Sequence, residues 1–361
     1  MWLQMQYKLN KIYSDYTSVH AICREVLAVS DAHAIQSVLI GGSLLGVIRD
    51  GDFLPWDKDL DFAVFEADIQ RTLDLEPQYR ALGYECRVHH LGVRQPDELT
   101  AGLEQLQSIC SKLDVLSVEY VLINGILLNL LRDKSIFSET DGISLLFKNN
   151  NVPTSELVSA LEEFGNVYLT PNRAGLNNIT LVANGWRYFL LSYESSPSGF
   201  GWTDLNCEHR FSQDLFPSEV VVIDGYQWRI PAKAEAVLTA RFGDNWHQPA
   251  QKRFTQGRVA GSMQLHKQGV MFDFIFHYVR GEKTYWFEPA ANVISTIGFL
   301  PASRKNTTAG EMLIPDNAEV FLEEHYPNWK VPVKTWDGAV DNPTIIDGDE
   351  AMMKILANDN V

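Results

Sequence analysis

Apolar residues at three- and four-residue steps dominate the beginning of the chain. They run from Leu9 to Leu27 with polar positions between them, which is the spacing of an amphipathic helix. The pattern then changes, because the β-branched run 37–40 and the alternating run 59–64 each predict a short strand. A Gly-Gly-Ser turn, residues 41–43, follows the first strand and leads into a short helix. The order predicted is therefore helix, strand, glycine turn, helix, strand.

This strand–turn–helix pattern occurs twice. Residues 38–50 (VLIGGSLLGVIRD) match residues 121–133 (VLINGILLNLLRD) at eight of thirteen positions, where chance would give about one. A second pair, IPAKAEAVL at 230–238 and IPDNAEVFL at 314–322, is followed in both places by an aromatic residue and Asn-Trp. The two pairs are shifted by 83 and 84 residues. Their agreement favours an internal duplication over chance similarity between helices.

The order of the matched segments predicts how the two copies are arranged. Both starts precede both ends, which fits one domain inserted inside a related one. We therefore predict a discontinuous outer domain, residues 1–118 and 251–361, and an inserted domain, residues 119–250.

Two carboxylates two residues apart are the main candidates for chemistry. Asp59 and Asp61 lie on the second predicted strand, and alternate residues of a strand share a face. They can converge on one divalent cation or on a close pair, and hard oxygen ligands favour Mg²⁺ or Mn²⁺. Gly42 lets the backbone approach a ligand, and Ser43 begins a helix whose N–H groups make an anion site. Together these features predict a phosphate beside a metal ion.

The run GGSLLGVIRDGDFLPWDKDLDFAV, residues 41–64, resembles the signature of the LicD and fukutin family. That signature is a G-[ST]-LLG-x-x-R turn followed by PWDxDxD, and the segments that end in Asn-Trp resemble the ends of such domains. The resemblance implies an α/β (α+β) fold: a nucleotidyltransferase-like mixed sheet flanked by helices, with a nested, degenerate second copy. One departure is Lys58, where the family commonly has another Asp. Lys58 either contacts a donor phosphate or serves the structure from the opposite strand face.

The same fold resemblance implies a third carboxylate on a later strand. Asp273 lies in the apolar run GVMFDFIFHY, and a lone acid in such a strand is costly to bury unless it is paired or bound to metal. His277 shares its face and either supports the site or packs. His89 and His90 end another predicted strand and receive no role. The predicted catalytic residues and metal ligands are Asp59, Asp61 and Asp273. The predicted donor-binding residues are Gly42, Ser43, Lys58 and, as a wall for a base or sugar, Trp56.

The inserted copy lacks the predicted acids. Its residues at the three aligned positions are Gly142, Ser144 and Phe189. Arg49-Asp50, in contrast, recurs there as Arg132-Asp133. Because the pair persists in a copy without a metal site, we predict that it is structural.

Composition excludes several classes of protein. The chain has 361 residues and a formal net charge of −16, which argues against a nucleic-acid partner because polyphosphate binding needs a concentrated basic surface. Four cysteines form no CxxC pair, so reduced thiols are expected. No stretch approaches the ~20 apolar residues of a membrane span, and the first residues lack the basic-then-apolar order of a signal peptide. We therefore expect a cytoplasmic protein with no transmembrane segment.

The resemblance implies a metal-dependent phosphotransferase. Such an enzyme moves phosphocholine or an alditol phosphate from a CDP-linked donor to a sugar hydroxyl of a glycan or glycolipid, and it releases CMP. One alternative keeps the fold and transfers a nucleotide from a nucleoside triphosphate to a small molecule or protein. Another is an inactive glycan- or nucleotide-binding module, against which the intact acid trio argues.

Overall fold

Residue contacts divide the chain into two compact units. The outer unit joins Leu9–Val93 to Lys252–Val361, and the inner unit contains Arg94–Gln251. A computed structural model describes residues 16–57, 59–135, 142–148, 152–172, 175–197, 199–204, 207–223, 225–248, 254–255, 257–287, 293–297, 300–333 and 341–357.

Both units contain helices and strands. The helices are α1 Tyr16–Ala32, α2 Gly41–Arg49, α3 Glu66–Leu73, α4 Glu76–Ala81, α5 Pro96–Val115, α6 Asn124–Leu128 with a π-helical turn at Asn129–Asp133, α7 Thr154–Glu162, α8 Ala234–Phe242, α9 Ala318–His325 and α10 Gly348–Leu356. The strands are β1 Ser37–Leu39, β2 Asp59–Phe65, β3 Glu85–Gly92, β4 Glu119–Ile123, β5 Gly142–Lys148, β6 Asn166–Pro171, β7 Asn177–Ala183, β8 Trp186–Ser192, β9 Glu194–Ser196, β10 Gly199–Asp204, β11 Cys207–Phe211, β12 Ser218–Ile223, β13 Tyr226–Pro231, β14 Arg258–Lys267, β15 Val270–Arg280, β16 Lys283–Phe287, β17 Val293–Ile297, β18 Ala302–Thr307, β19 Gly310–Pro315 and β20 Ile345–Ile346.

The predicted first elements are all present in the part of the chain that is described. Helix α1 continues past the predicted end to Ala32, because Val29 and Ser30 extend its buried face. Strands β1 and β2 lie where the β-branched and alternating runs predicted them. Helix α2 begins at Gly41, inside the predicted turn. The mixed α/β class is therefore confirmed.

The strands of the outer unit form one mixed sheet. Its order is β18-β19-β1-β2-β15-β16-β17-β20, and β14 and β3 extend from β15. β1 is antiparallel to β2, whereas β2 is parallel to β15. One face of β2 and β15 is hydrophobic core, where Phe62 stacks on Phe272 with ring centroids 4.6 Å apart. The opposite face of the two strands carries the predicted acids.

The inner unit has its own sheet and its own core. The sheet order is β4-β5-β8-β7-β6, with β5 parallel to β8 and the other pairs antiparallel. Two smaller sheets are β11-β10-β9 and β12-β13. The core includes the fully buried side chains Trp186, Trp202 and Trp228. The order and directions in the five-stranded sheet are those of β1-β2-β15-β14-β3 in the outer unit.

Helix α5 lies in the inner unit. The domain boundary predicted from the sequence, at residues 118/119, would place this helix in the outer domain. The hydroxyl of Tyr188 donates to the carbonyl of Gly102 in α5 (3.2 Å). Lys112 pairs with Glu163 at the end of α7 (2.8 Å). Helix α5 precedes β4 as α1 precedes β1. The repeated motif starts only at residue 121, so the sequence did not mark this helix.

The described thiols are buried. The thiols of Cys23, Cys86 and Cys110 lie in the interior, and burial raises the pKa of Cys110 to about 12. A thiol with a raised pKa stays protonated and unreactive near pH 7. Among the described residues, no helix is long and apolar enough to cross a membrane. A cytoplasmic location stays a prediction.

Two buried histidines pack around one tryptophan in the outer unit. His277 of β15 stacks on Trp286 with ring centroids 4.5 Å apart, and its Nδ1–H donates to the carbonyl of Ile275 (2.8 Å). His325 of α9 lies 5.4 Å from the same tryptophan ring. Burial lowers the pKa of His277 to about 3 and that of His325 to about 4. Both rings are therefore neutral at pH 7, and His277 packs in the core.

These buried histidines predict acid sensitivity. Below pH ~6.5 the unfolded chain binds protons that folded His277 accepts only near pH 3, so the free energy of unfolding falls as the pH falls through this window. Each such histidine contributes at most about 1.4 kcal/mol per pH unit. His277→Phe should have a shallower fall between pH 6.5 and 4.5, measured by urea unfolding. The free energy of unfolding at pH 7.5 is the reference value for each protein. If it fell with pH equally steeply in the variant and in the native protein, this explanation would be contradicted.

Candidate active site

A left-handed residue begins the turn between β1 and α2. Gly41 has a φ of 60°, which glycine adopts without steric cost. The N–H of Ile40 before it donates to the carbonyl of Asp61 (3.1 Å). The aligned residue of the inner unit, Asn124, has a φ of 58°, and asparagine is among the residues that tolerate this region. Both units therefore use the same turn geometry.

The hydroxyl of Ser43 ties the turn to β2. It accepts a hydrogen bond from the N–H of Asp61 (3.0 Å) and lies 3.4 Å from the carbonyl of Asp59, to which it donates. Ser43 is only 1% exposed. Its side chain thus fixes the backbone that carries both acids. Ile126, at the aligned position of the inner unit, has no hydroxyl for these bonds.

Two carboxylates lie directly over the glycine turn. A Cβ added at Gly41 would stand 2.6 Å from Oδ2 of Asp61, and one added at Gly42 would overlap Oδ2 of Asp57. The close approach predicted at Gly42 is therefore made by a carboxylate of the chain itself. Asp57 was not among the predicted site residues. The signal for it was its place as the first acid in the WDxDxD run.

The third predicted acid stands beside the first two. β2 and β15 pair in parallel with Asp61 opposite Asp273, so Asp59, Asp61 and Asp273 share one face of adjacent strands. Asp273 is 1% exposed, whereas Asp59 and Asp61 are half-buried. The structure therefore brings all three together on one surface of the sheet.

Asp273 is held by a chain of side chains across two further strands. Nε2 of Gln264 on β14 donates to Oδ2 of Asp273 (2.8 Å). Nε2 of His89 on β3 lies 3.0 Å from Oε1 of Gln264. The sequence analysis assigned neither residue. The missed signal is the two-residue hairpin turn at Gln268-Gly269, because pairing Lys267 with Val270 sets Gln264 opposite Asp273.

The other two predicted donor-binding residues are Trp56 and Lys58. Trp56 is half-buried and packs against the hydrophobic core of the outer unit. Lys58 lies outside the described residues. The loop before them is held by α1: Nε2 of His20 lies 2.8 Å from Oδ1 of Asp52, and the hydroxyl of Tyr16 donates to a backbone carbonyl of the loop (3.2 Å).

Carboxylate oxygens on one face are ligands that suit Mg²⁺ or Mn²⁺. The glycines below them leave the room that a side chain would fill. Within the described ranges, however, no group of three or more His, Cys, Asp or Glu is arranged so that it could hold a metal ion. Metal binding at this face stays a prediction, which is supported by the type of the ligands and not by their arrangement.

Comparison with known proteins identifies the segment that holds the turn and the first acids. Residues 34–93 match the family model described as LicD/FKTN/FKRP, nucleotidyltransferase domain. Residues 34–93, the LicD segment, are therefore similar to that family. The resemblance inferred from the sequence is thereby confirmed, and Asp273 lies beyond the matched LicD segment.

The curated relatives match a short part of the chain. Ribitol 5-phosphate transferase FKRP of Mus musculus and the same enzyme of Homo sapiens are each 44% identical to this chain over 46 residues. The match spans 13% of this chain and 9% of each relative.

A repeated ion pair follows the helix of the LicD segment. Arg49 makes two hydrogen bonds to the carboxylate of Asp50 (2.8 and 2.7 Å). Arg132 and Asp133 make the same pair of bonds in the inner unit (both 2.7 Å). Arg49 also donates to the carbonyl of Trp329 after α9 (3.4 Å). This geometry fits a structural role, as predicted for the pair.

An aromatic ring takes the place of the acids in the inner unit. β5 and β8 pair in parallel with Ser144 opposite Phe189, as Asp61 stands opposite Asp273 in the outer unit. A Cβ at Gly142 would overlap the ring of Phe189. The space beside this strand is therefore filled by a hydrocarbon side chain.

Two glycines of α2 in the LicD segment should respond differently to alanine. At Gly42 the added methyl meets the end of the Asp57 side chain, which can rotate, whereas at Gly46 it meets the backbone of Asp52 (2.6 Å) and Leu54 (2.8 Å). Gly46→Ala should lower the free energy of unfolding by about 1–3 kcal/mol. Gly42→Ala should change it by less than ~1 kcal/mol while reducing turnover about tenfold. Urea unfolding and a turnover assay check both, and native turnover in Gly42→Ala would show that the Asp57 carboxylate has no part in the site.

Proposed function

We propose that this chain is a LicD-type phosphotransferase. It moves a phosphorylated group from a CDP-linked donor to a sugar hydroxyl of a glycan or glycolipid and releases CMP. The observation that carries the proposal is the set Asp59, Asp61 and Asp273 on one strand face, with the first two inside the LicD segment. The matched relatives are named for ribitol 5-phosphate transfer. An alditol phosphate is therefore the first head group to test, ahead of phosphocholine.

The proposal includes Mg²⁺ or Mn²⁺ held by Asp59, Asp61 and Asp273. Such an ion would neutralise the bridging phosphates of the donor and stabilise the departing CMP. The protein's own contribution is to fix the acids: Ser43 holds the backbone of β2, and Gln264 holds the carboxylate of Asp273. Both contacts keep the carboxylates on the same face without help from a ligand.

The donor would lie at the turn that opens α2. We propose that backbone N–H groups at Gly42 and Ser43 meet its phosphate, since the Ser43 hydroxyl is already bonded to β2. Two further residues complete the proposed donor site. Trp56 would pack against the base or sugar of the donor, and Lys58 would contact a donor phosphate.

The inner unit is proposed to be a degenerate copy that supports the fold. Its sheet repeats the strand order and directions of the outer sheet, its turn repeats the positive φ of Gly41 at Asn124, and Phe189 stands where the outer copy has Asp273. The chemistry of the chain is therefore assigned to the outer unit alone. Including α5, the inner copy begins near residue 94.

A second candidate is transfer of a nucleotide from a nucleoside triphosphate. It is favoured by the description of the matching family model as a nucleotidyltransferase domain. The two reactions leave different small products, CMP in one case and pyrophosphate in the other, so they separate in one assay.

Loss of either carboxylate of β2 should abolish turnover. Asp59→Asn and Asp61→Asn remove a charge from the proposed metal site, and a ligand is worth several kcal/mol in the transition state, which is roughly a thousandfold in rate. Ser144→Asn, at the position of the inner unit that corresponds to Asp61, is the matched control and should keep native turnover. A tenfold loss of rate corresponds to only about 1.36 kcal/mol of transition-state stabilisation. If both Asp variants retained more than about a tenth of the activity, the assignment would therefore be wrong.

Product analysis tests the reaction itself. Incubation with CDP-ribitol or CDP-choline, Mg²⁺ and a glycan acceptor should release CMP, and omission of the metal should stop the release because the charge on the phosphates is then left without a cation. Release of pyrophosphate from a nucleoside triphosphate, with no CMP from any CDP-linked donor, would replace this proposal with nucleotidyl transfer.

A further inference from the structure

A line of hydrogen-bonded side chains crosses the outer sheet and ends at Asp273. It runs from His89 on β3 through Gln264 on β14 to the carboxylate on β15. The backbone register supports it, because Gln264 is paired with Asp273 in the β14–β15 ladder. Gln264 is 8% exposed and Asp273 is 1% exposed, so the contact between them is shielded from water.

The contacts fix which way each group points. The Nε2–H₂ group of Gln264 donates to Asp273, so its Oε1 is the atom that faces His89. Oε1 is an acceptor, which means that His89 carries a proton on Nε2. The amide thus has one orientation, set at both ends.

We infer that Gln264 and His89 are positioning residues for Asp273, and that they hold its carboxylate through Oδ2 on the sheet face that also carries the acids of β2. The inference rests on the proposed function, because it gives these residues a role toward the proposed metal. With Oδ2 taken by Gln264, rotation of the carboxylate is restricted. Residues that fix a metal ligand from outside typically change metal affinity by about 10–100-fold when they are removed.

The inner unit supplies an internal comparison. Phe189, opposite Ser144, is paired across the next ladder with Thr180, the position that Gln264 occupies in the outer sheet. The acid and its amide partner are therefore both absent from the inner unit.

Direct measurement of Mn²⁺ binding tests the inference without a known donor. The electron paramagnetic resonance signal of free Mn²⁺ gives the dissociation constant for the full chain. Gln264→Met keeps the side-chain length but removes the donor, and His89→Leu frees the amide; each should weaken binding about 10–100-fold. His89→Gln restores a donor to Oε1 and should bind close to the native value. Thr180→Val is the matched change in the inner unit and should also bind as the native protein does.

A combined variant separates positioning from general damage. If the residues act as one chain, Gln264→Met with His89→Leu should bind Mn²⁺ no more weakly than Gln264→Met alone. Thermal unfolding of each variant shows whether the fold is kept, and His89 on the edge strand β3 provides a second route if Gln264→Met unfolds.

The possible failures are distinguishable. If the native protein binds Mn²⁺, Asp273→Asn abolishes binding and both Gln264→Met and His89→Leu bind as the native protein does, the positioning inference is overturned and the proposed function stands. If the native protein binds no Mn²⁺ at all, the metal part of the proposed function falls, and this inference falls with it.

Discussion

The parallel pairing of β2 with β15 is the contact on which the site depends. It sets Asp61 beside Asp273 although the whole inner unit lies between them in the sequence. A parallel pair needs a long crossover, and here the crossover carries a complete second unit. Polar contacts act on both sides of the pair, since Ser43 binds the backbone of β2 and Gln264 binds the carboxylate on β15. The register of β2 and β15 places the acids side by side, and these polar contacts hold them there.

The inner unit shows what the architecture retains when the acids are absent. The positive φ of the turn and the bidentate Arg-Asp pair are kept, so these features belong to the folding of a strand–turn–helix unit. The positions that differ are those at the acid face, where the inner unit has Ile126, Ser144, Thr180 and Phe189. Comparison of two units within one chain therefore separates residues that build the turn from residues that serve the site.

Local pattern was enough to predict β1, α2, β2 and the two acids of β2, because alternation and a glycine turn are visible within a few residues. Asp273 was found because the family resemblance implied a third carboxylate on a later strand, where a charge in an apolar run is conspicuous. Gln264 follows from the short hairpin between β14 and β15, whereas His89 depends on the pairing of β14 with β3, which joins distant segments and leaves no periodic trace. The predicted boundary at residues 118/119 left helix α5 in the outer domain for a related reason: its counterpart α1 shares its position but not a recognisable motif.

The glycines at the turn lie beside carboxylates of the chain itself, whereas the motif predicted a phosphate of the ligand there. Gly42 was predicted to admit a ligand, yet the carboxylates of Asp57 and Asp61 occupy the space above Gly42 and Gly41. The N-terminus of a helix favours negative charge, so the start of α2 suits a donor phosphate as well as a carboxylate. Carboxylates and phosphate repel each other at this distance unless a cation lies between them. A phosphate at this turn therefore requires the metal, which makes donor and metal binding two parts of one equilibrium in the proposed reaction.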